Sequence, residues 1–161
     1  MDTHEDYMRM ALEEAKRAAA MGEAPIGAVI VQDGRVVGRG CNTTERDKDP
    51  TCHAEMNAIR EAAGTLGGWR LPRCRMYVTL EPCSMCAGAI VLARIEELYI
   101  GTPDPKSGAC GSLRDITGDE RLNHRVRVTT GILQEECSSL LRDFFRQLRK
   151  DRSKTQEEQS I

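Results

Sequence analysis

Two short segments hold the residues best suited to chemistry: His53-Ala54-Glu55 and Pro82-Cys83-Ser84-Met85-Cys86. Zinc readily takes one imidazole nitrogen and two thiolates, and a catalytic site keeps its fourth position for water. Cys83 and Cys86 are one helical turn apart, so on a helix both sulfurs face the same ion. A helix N-terminus favours the thiolate form through its dipole. Glu55 is two residues from His53 and cannot share its face, which suits it to carrying protons beside the ion rather than holding it. Each feature alone has a plainer reading: His53 as a helix cap, the cysteine pair as a redox couple, Glu55 as a solvated helix carboxylate. Joined in this order they point to an open, catalytic metal site. The alternative is a closed structural site with Cys41, Cys52 or Cys74 as fourth ligand, and the spacing selects none of these. Cys110 and Cys137 read as loop and core thiols.

The elements that must position these residues follow from periodicity and stop signals. Thr3 to Met21 reads as a helix, with Met8, Ala11, Leu12, Ala15 and Ala19 at helical spacing, a Thr3/Asp6 capping box and Gly22 as its stop. Ile26 to Val31 and Arg35 to Cys41 read as a hairpin about Asp33-Gly34. Asn42 to Pro50 is polar and loop-like. Cys52 to Ala63 reads as a helix ending at Gly64, and Arg75 to Leu80 as a strand. A helix then runs from Pro82 to about Arg94. Glu97 to Gly101 reads as a strand, Thr102 to Asn123 as a long loop, and Arg125 to Thr130 as a further strand. Leu133, Cys137, Leu140, Leu141, Phe144, Phe145 and Leu148 share a helical face. Helices alternating with strands favour a three-layer α/β domain over residues 1–150. Residues 151–161 read as a polar, disordered tail.

Composition bounds the function. The 161 residues are 40% hydrophobic, 30% charged and 4% aromatic, with a net charge of -2. A wholly disordered chain and a strongly basic nucleic-acid coat are both excluded. The longest apolar run, Cys86 to Ala93, is far short of the ~18 residues a membrane span needs. Residues 1–20 carry charges throughout and do not read as an export signal. Seven cysteines, an odd number, favour a reducing compartment with metal or catalytic thiols over a disulfide framework. The cytoplasm is the expected location.

The order H-x-E, strand, P-C-x-x-C is the pattern of zinc nucleobase deaminases. From about Glu5 to Arg149 the chain resembles the bacterial tRNA-specific adenosine deaminases, of the cytidine deaminase-like superfamily. The resemblance rests on Pro25-Ile26-Gly27-Ala28-Val29, His53-Ala54-Glu55 and the run from Tyr77 to Ile90 that holds the cysteine pair. It continues in Asp104 to Leu113, Asn123-His124 and Phe144-Phe145-Arg146. The zinc motif specifies the superfamily; the last three segments point to this member. The resemblance implies an α/β/α fold with a central five-stranded mixed sheet, a homodimer, and one zinc per subunit on His53, Cys83 and Cys86, with Glu55 shuttling protons. It further implies hydrolytic conversion of adenosine to inosine at the wobble position of a tRNA anticodon, usually of an arginine tRNA, with no DNA or membrane partner. Asn42 becomes the base-edge contact, and Asp104, Lys106, Asn123, His124, Phe145 and Arg149 the anticodon-loop surface. The cations from Arg146 to Lys154 become phosphate contacts. Two rivals stand beside this reading: a deaminase of free cytosine, cytidine or guanine, and a zinc-stabilised RNA-binding module without activity.

Overall fold

The computed structural model describes residues 2–159. Helix α1, His4–Ala20, starts at the expected box: the Asp6 amide donates to Thr3 Oγ1 at 3.1 Å and the Thr3 amide to Asp6 Oδ2 at 2.8 Å. Strands β1, Gly27–Gln32, and β2, Arg35–Cys41, pair antiparallel about a two-residue turn. Asp33 and Gly34 both take positive φ, 49° and 80°, as a type I′ hairpin requires.

The stretch expected as loop after β2 holds one helical turn, α2, Thr44–Asp47. It forms because the buried Glu23 carboxylate accepts from the amides of Glu45 at 2.9 Å and Arg46 at 3.2 Å. Helix α3, Ala54–Leu66, runs past the expected stop at Gly64. The left-handed residue that closes it is Gly67, at φ 76°, so Gly64 is an interior helical glycine. Strand β3, Cys74–Leu80, leads to helix α4, Ser84–Leu92. That helix begins after Pro82 because Cys83 is extended, at ψ 178°, and forms the N-cap. Strand β4 is Glu97–Thr102, β5 is Arg127–Thr130 and helix α5 is Gln134–Gln159.

The sheet order is β2-β1-β3-β4-β5. Strand β1 is antiparallel to β2 and β3, while β3, β4 and β5 are parallel, so the sheet is mixed and five-stranded as expected. Side chains alternate between its faces. Ala28, Ile30, Met76, Val78, Leu98 and Ile100 meet Ala54, Ala58 and Ala62 of α3 and Ile90 and Val91 of α4. On the opposite face Val29, Val31 and Tyr77 meet Tyr7, Met8, Ala11 and Leu12 of α1 and Cys137 of α5. The three-layer architecture is the expected one. Helix α3 lies directly on the β2 backbone: a Cβ at Gly38 would collide with Ala58, and one at Gly40 with Ala54. Only glycine permits that approach, and it brings the start of α3 to the edge of the sheet.

Residues 151–159 are helical rather than disordered. Gln147 Nε2 donates to Asp151 Oδ1 at 3.0 Å, and good helix formers fill the segment, although every side chain there is exposed. Ser160 and Ile161 lie outside the described residues.

Candidate metal centre and substrate pocket

His53 caps α3 and Cys83 caps α4; Cys86 lies in the first turn of α4. Two helix starts therefore meet at the C-terminal ends of β3 and β4, where ligands gather in open α/β sheets. His53 Nδ1 is 3.6 Å from Cys83 Sγ and 3.5 Å from Cys86 Sγ. All three donor atoms lie within 4.8 Å of one another, and this is the one such group among the described residues. Cys41, Cys52 and Cys74 are buried outside it, so the closed-site alternative finds no fourth thiol.

The donor set fits zinc. A hydrogen bond from Cys86 holds the Cys83 thiol down at about 5, helped by the backbone amides of Cys86 and Met85 at the helix start and by His53. The same bond and burial push Cys86 up. The thiolate-prone Cys83 thus lies on the positive end of α4, beside the other two donors that would hold a cation. Glu55 is 4% exposed, and burial pushes its carboxyl up to about 7, with the Cys83 charge adding to the rise. A carboxyl poised there takes up and releases a proton near neutral pH.

A pocket of about 300 Å³ opens above this group. Asn42, Thr44, His53, Glu55, Leu80, Glu81, Cys83, Asp104 and Ser107 line it together with Ala24 and Ile26. Asn42 is buried and reaches Thr44 Oγ1 at 3.4 Å. Asn57 of α3 fixes that wall by donating to the Cys41 carbonyl at 2.9 Å and to Thr43 Oγ1 at 3.0 Å. Through Ile26, Leu80, Asp104 and Ser107 the pocket continues into a groove of about 740 Å³. Pro103 to Ser107 form one side of the groove, and Ser138, Leu141, Arg142, Phe145, Arg146 and Arg149 of α5 the other.

Asn42, His53, Glu55, Cys83 and Asp104 therefore share the pocket, and Asp104, Lys106, Phe145 and Arg149 share the groove. Phe145, 41% exposed, is the groove-facing member of the aromatic pair; Phe144 is half-buried and meets it edge-on at 5.4 Å. Asn123 and His124 are not there. His124 Nε2 bonds the Ile95 carbonyl at 2.7 Å, just before β4 begins, at the opposite end of the sheet. Because β4 and β5 are parallel, the connecting loop must travel the length of the sheet, and residues just ahead of β5 arrive at the far end. Sequence reasoning passed over Thr44, Ser107 and Arg142, while Arg146 is among the expected phosphate contacts and does line the groove. Arg142 carried a usable signal, since 142, 145, 146 and 149 follow helical spacing.

Over residues 2–149 the chain matches the MafB19-like deaminase family. It is 49% identical over 150 residues to the tRNA-specific adenosine deaminase of Bacillus subtilis (strain 168), covering 93% of each chain. The chain belongs to the tRNA-specific adenosine deaminase family. Among solved structures, one from studies of A-to-I editing by tRNA:A34 deaminases at the wobble position of transfer RNA superposes with a TM-score of 0.81 and 46% identity. That match covers 84% of this chain and 98% of the other. A guanine deaminase from Bacillus subtilis matches over 63% of this chain and 66% of its own, with a TM-score of 0.61 and 39% identity. Family membership thus extends over the whole deaminase domain, the groove wall on α5 included as far as Arg149.

Proposed function

We propose that the chain converts adenosine to inosine by hydrolysis at the wobble position of a tRNA anticodon, with an arginine tRNA as its target. The observation that carries this reading is the continuity of the 300 Å³ pocket around Glu55 with the groove walled by Phe145, Arg142 and Arg149. One unstacked base fills the pocket, and its neighbours and their phosphates lie along the groove. Arg142 and Arg146 are held by exposed carboxylates, Glu135 at 3.0 Å and Asp143 at 3.8 Å. Such pairs are weak and exchange readily for phosphate. The names of the curated relatives support the same substrate.

Zinc held by His53, Cys83 and Cys86 would leave one position for water and make hydroxide available near neutral pH. Glu55 takes a proton from the attacking water and hands it to the purine ring nitrogen. The water oxygen bonds to C6 and the bond from C6 to the exocyclic nitrogen breaks. Glu55 then delivers the second proton to the amine, which leaves as ammonia. Asn42, which lines the same pocket as Glu55, would meet the edge of the base and hold C6 within reach of the Glu55 carboxyl. Burial of Glu55 keeps its carboxyl in the range where both transfers occur.

The chain acts as a homodimer in the cytoplasm. Helix α4 is apolar on all sides, and its outward residues Met85, Gly88, Ala89 and Leu92, the last 65% exposed, form a face suited to a second copy. No described helix is long and apolar enough to cross a membrane.

Incubation with total tRNA, followed by mapping of inosine, tests the reading. Inosine at the wobble position of arginine tRNA supports it. Turnover of free guanine, cytosine or adenosine at a rate equal to that on an anticodon stem-loop overturns it in favour of a free-base enzyme. Bound RNA without ammonia release overturns it in favour of a binding module.

A further inference from the structure

Glu81 is a buried carboxylate that the chemistry above does not use, and it lies at the junction of the pocket and the long loop after β4. Its backbone is fixed to the end of β4, with its amide donating to the Thr102 carbonyl at 2.9 Å. Its side chain is 5% exposed and collects four donors from one loop. The Asp104 amide donates to Oε1 at 3.0 Å, and the amides of Cys110 and Ser112 to Oε2 at 3.0 and 3.1 Å. The Ser112 hydroxyl donates to Oε1. The loop passes so close over the carboxylate that a Cβ at Gly108 would collide with it. Residues 104–112 form no helix or named strand, and beside turn bonds such as those from the Gly108 amide to the Asp104 carbonyl at 2.8 Å and from the Ala109 amide to the Pro82 carbonyl at 2.9 Å, this carboxylate takes up the amides those turns leave over. The loop in turn presents Asp104 and Ser107 to the pocket and Lys106 to the groove. Asp104 Oδ1 then accepts from the Lys106 and Ser107 amides at 3.1 and 3.2 Å, so fixing Asp104 fixes the next three residues.

We propose that Glu81 is a positioning residue for substrate recognition: it sets the Asp104–Ser107 wall against which the nucleotides flanking the reacting base are held. The inference rests on the RNA reading above and names the residue that shapes that site. It makes a division that a general structural role would not. The hydrogen bonds of the Glu81 carboxylate go to the loop after β4 and not to His53, Cys83 or Cys86, so weakening it moves recognition of the stem-loop and spares both zinc and the chemical step.

The test uses the full zinc-loaded protein. Glu81→Gln keeps the shape and one acceptor oxygen but turns the other into a donor, facing the Asp104 amide if it replaces Oε1 and those of Cys110 and Ser112 if it replaces Oε2. Amide hydrogen exchange at Asp104, or at Cys110 and Ser112, is expected to quicken by about tenfold or more, as loss of hydrogen bonds to a buried charged group implies. With an anticodon stem-loop as substrate, KM rises about tenfold while kcat stays within about threefold and zinc stays at one per chain. Ser112→Ala, which leaves the carboxylate in place and removes one donor, moves exchange and KM in the same direction by a smaller factor, and covers the case in which Glu81→Gln folds poorly. Unchanged exchange overturns the anchoring role. Released exchange with unchanged KM overturns the positioning role, and zinc loss in proportion to activity reassigns Glu81 to support of Cys83. Hydrogen exchange needs no turnover, so a wild type inactive on the stem-loop defeats the RNA reading while the anchor is still read directly.

Discussion

Glu55 and Glu81 face the same pocket and are almost equally buried, at 4% and 5% exposure, yet their carboxyls move in opposite directions. Burial drives both upward. For Glu55 burial prevails and the carboxyl rises to about 7. For Glu81 the Ser112 hydroxyl and the amides of Asp104, Cys110 and Ser112 outweigh burial and hold it below the usual carboxylate range. At Glu55 the donors, its own backbone amide and Cys86, are too few to offset burial; at Glu81 four loop donors offset it and the carboxylate organises a loop. On the proposed reading the pocket accordingly has a floor for chemistry and a wall for recognition. Glu23 likewise accepts two loop amides on the other side, where it holds the α2 turn beside Asn42 and Thr44.

Changes to the floor are expected to act on metal and turnover, changes to the wall on binding. The largest effect belongs to Cys83→Ala. It removes a ligand that ties two helix starts together, so zinc, activity and thermal stability fall together; metal analysis and a melting curve check this. Retained zinc with full activity would remove Cys83 from the site. Glu55→Gln comes next. It keeps zinc and the fold and lowers kcat by ~10²–10⁴-fold, because a positioned acid/base group contributes about that much. Zinc lost in step with kcat would make Glu55 a ligand and erase the contrast with Glu81.

Phe145→Ala sharpens the division from the wall side. Loss of one stacking platform costs ~1–3 kcal/mol of RNA binding, read as a raised Kd for the stem-loop with zinc content unchanged. Phe144→Ala, at the half-buried neighbour, should instead lower the melting temperature more than it weakens RNA binding. A smaller effect follows from Lys106 and the α5 arginines. Stem-loop affinity should fall steeply with salt despite the net charge of -2, and Arg149→Ala should make the log–log salt slope shallower by about 1. A slope insensitive to Arg149 would take that residue out of the groove's phosphate contacts.

The sequence by itself determined whatever is local. The H-x-E and P-C-x-x-C groups could be read because each set of functional atoms lies within one helical turn. The Thr3 capping box and the Asp33-Gly34 turn were legible for the same reason. Alternating apolar strands and amphipathic helices set the layers and the first antiparallel hairpin, while the five-stranded mixed sheet was implied by the family resemblance. What spans a long separation was decided only in the tertiary structure. No spacing rule connects Glu23 to the amides of Glu45 and Arg46, or Glu81 to Ser112, so the α2 turn and the recognition wall had no local sign. The same holds for the absence of Cys41, Cys52 and Cys74 from the ligand group, and for Phe145 rather than Phe144 facing the groove. Asn123 and His124 lie far from the loop that precedes them because a parallel β5 forces the chain across the sheet. Helix and turn chemistry is set by neighbours a few residues apart. A pocket wall built from irregular backbone must find its donors and acceptors wherever the fold brings them, and only the folded chain fixes that pairing.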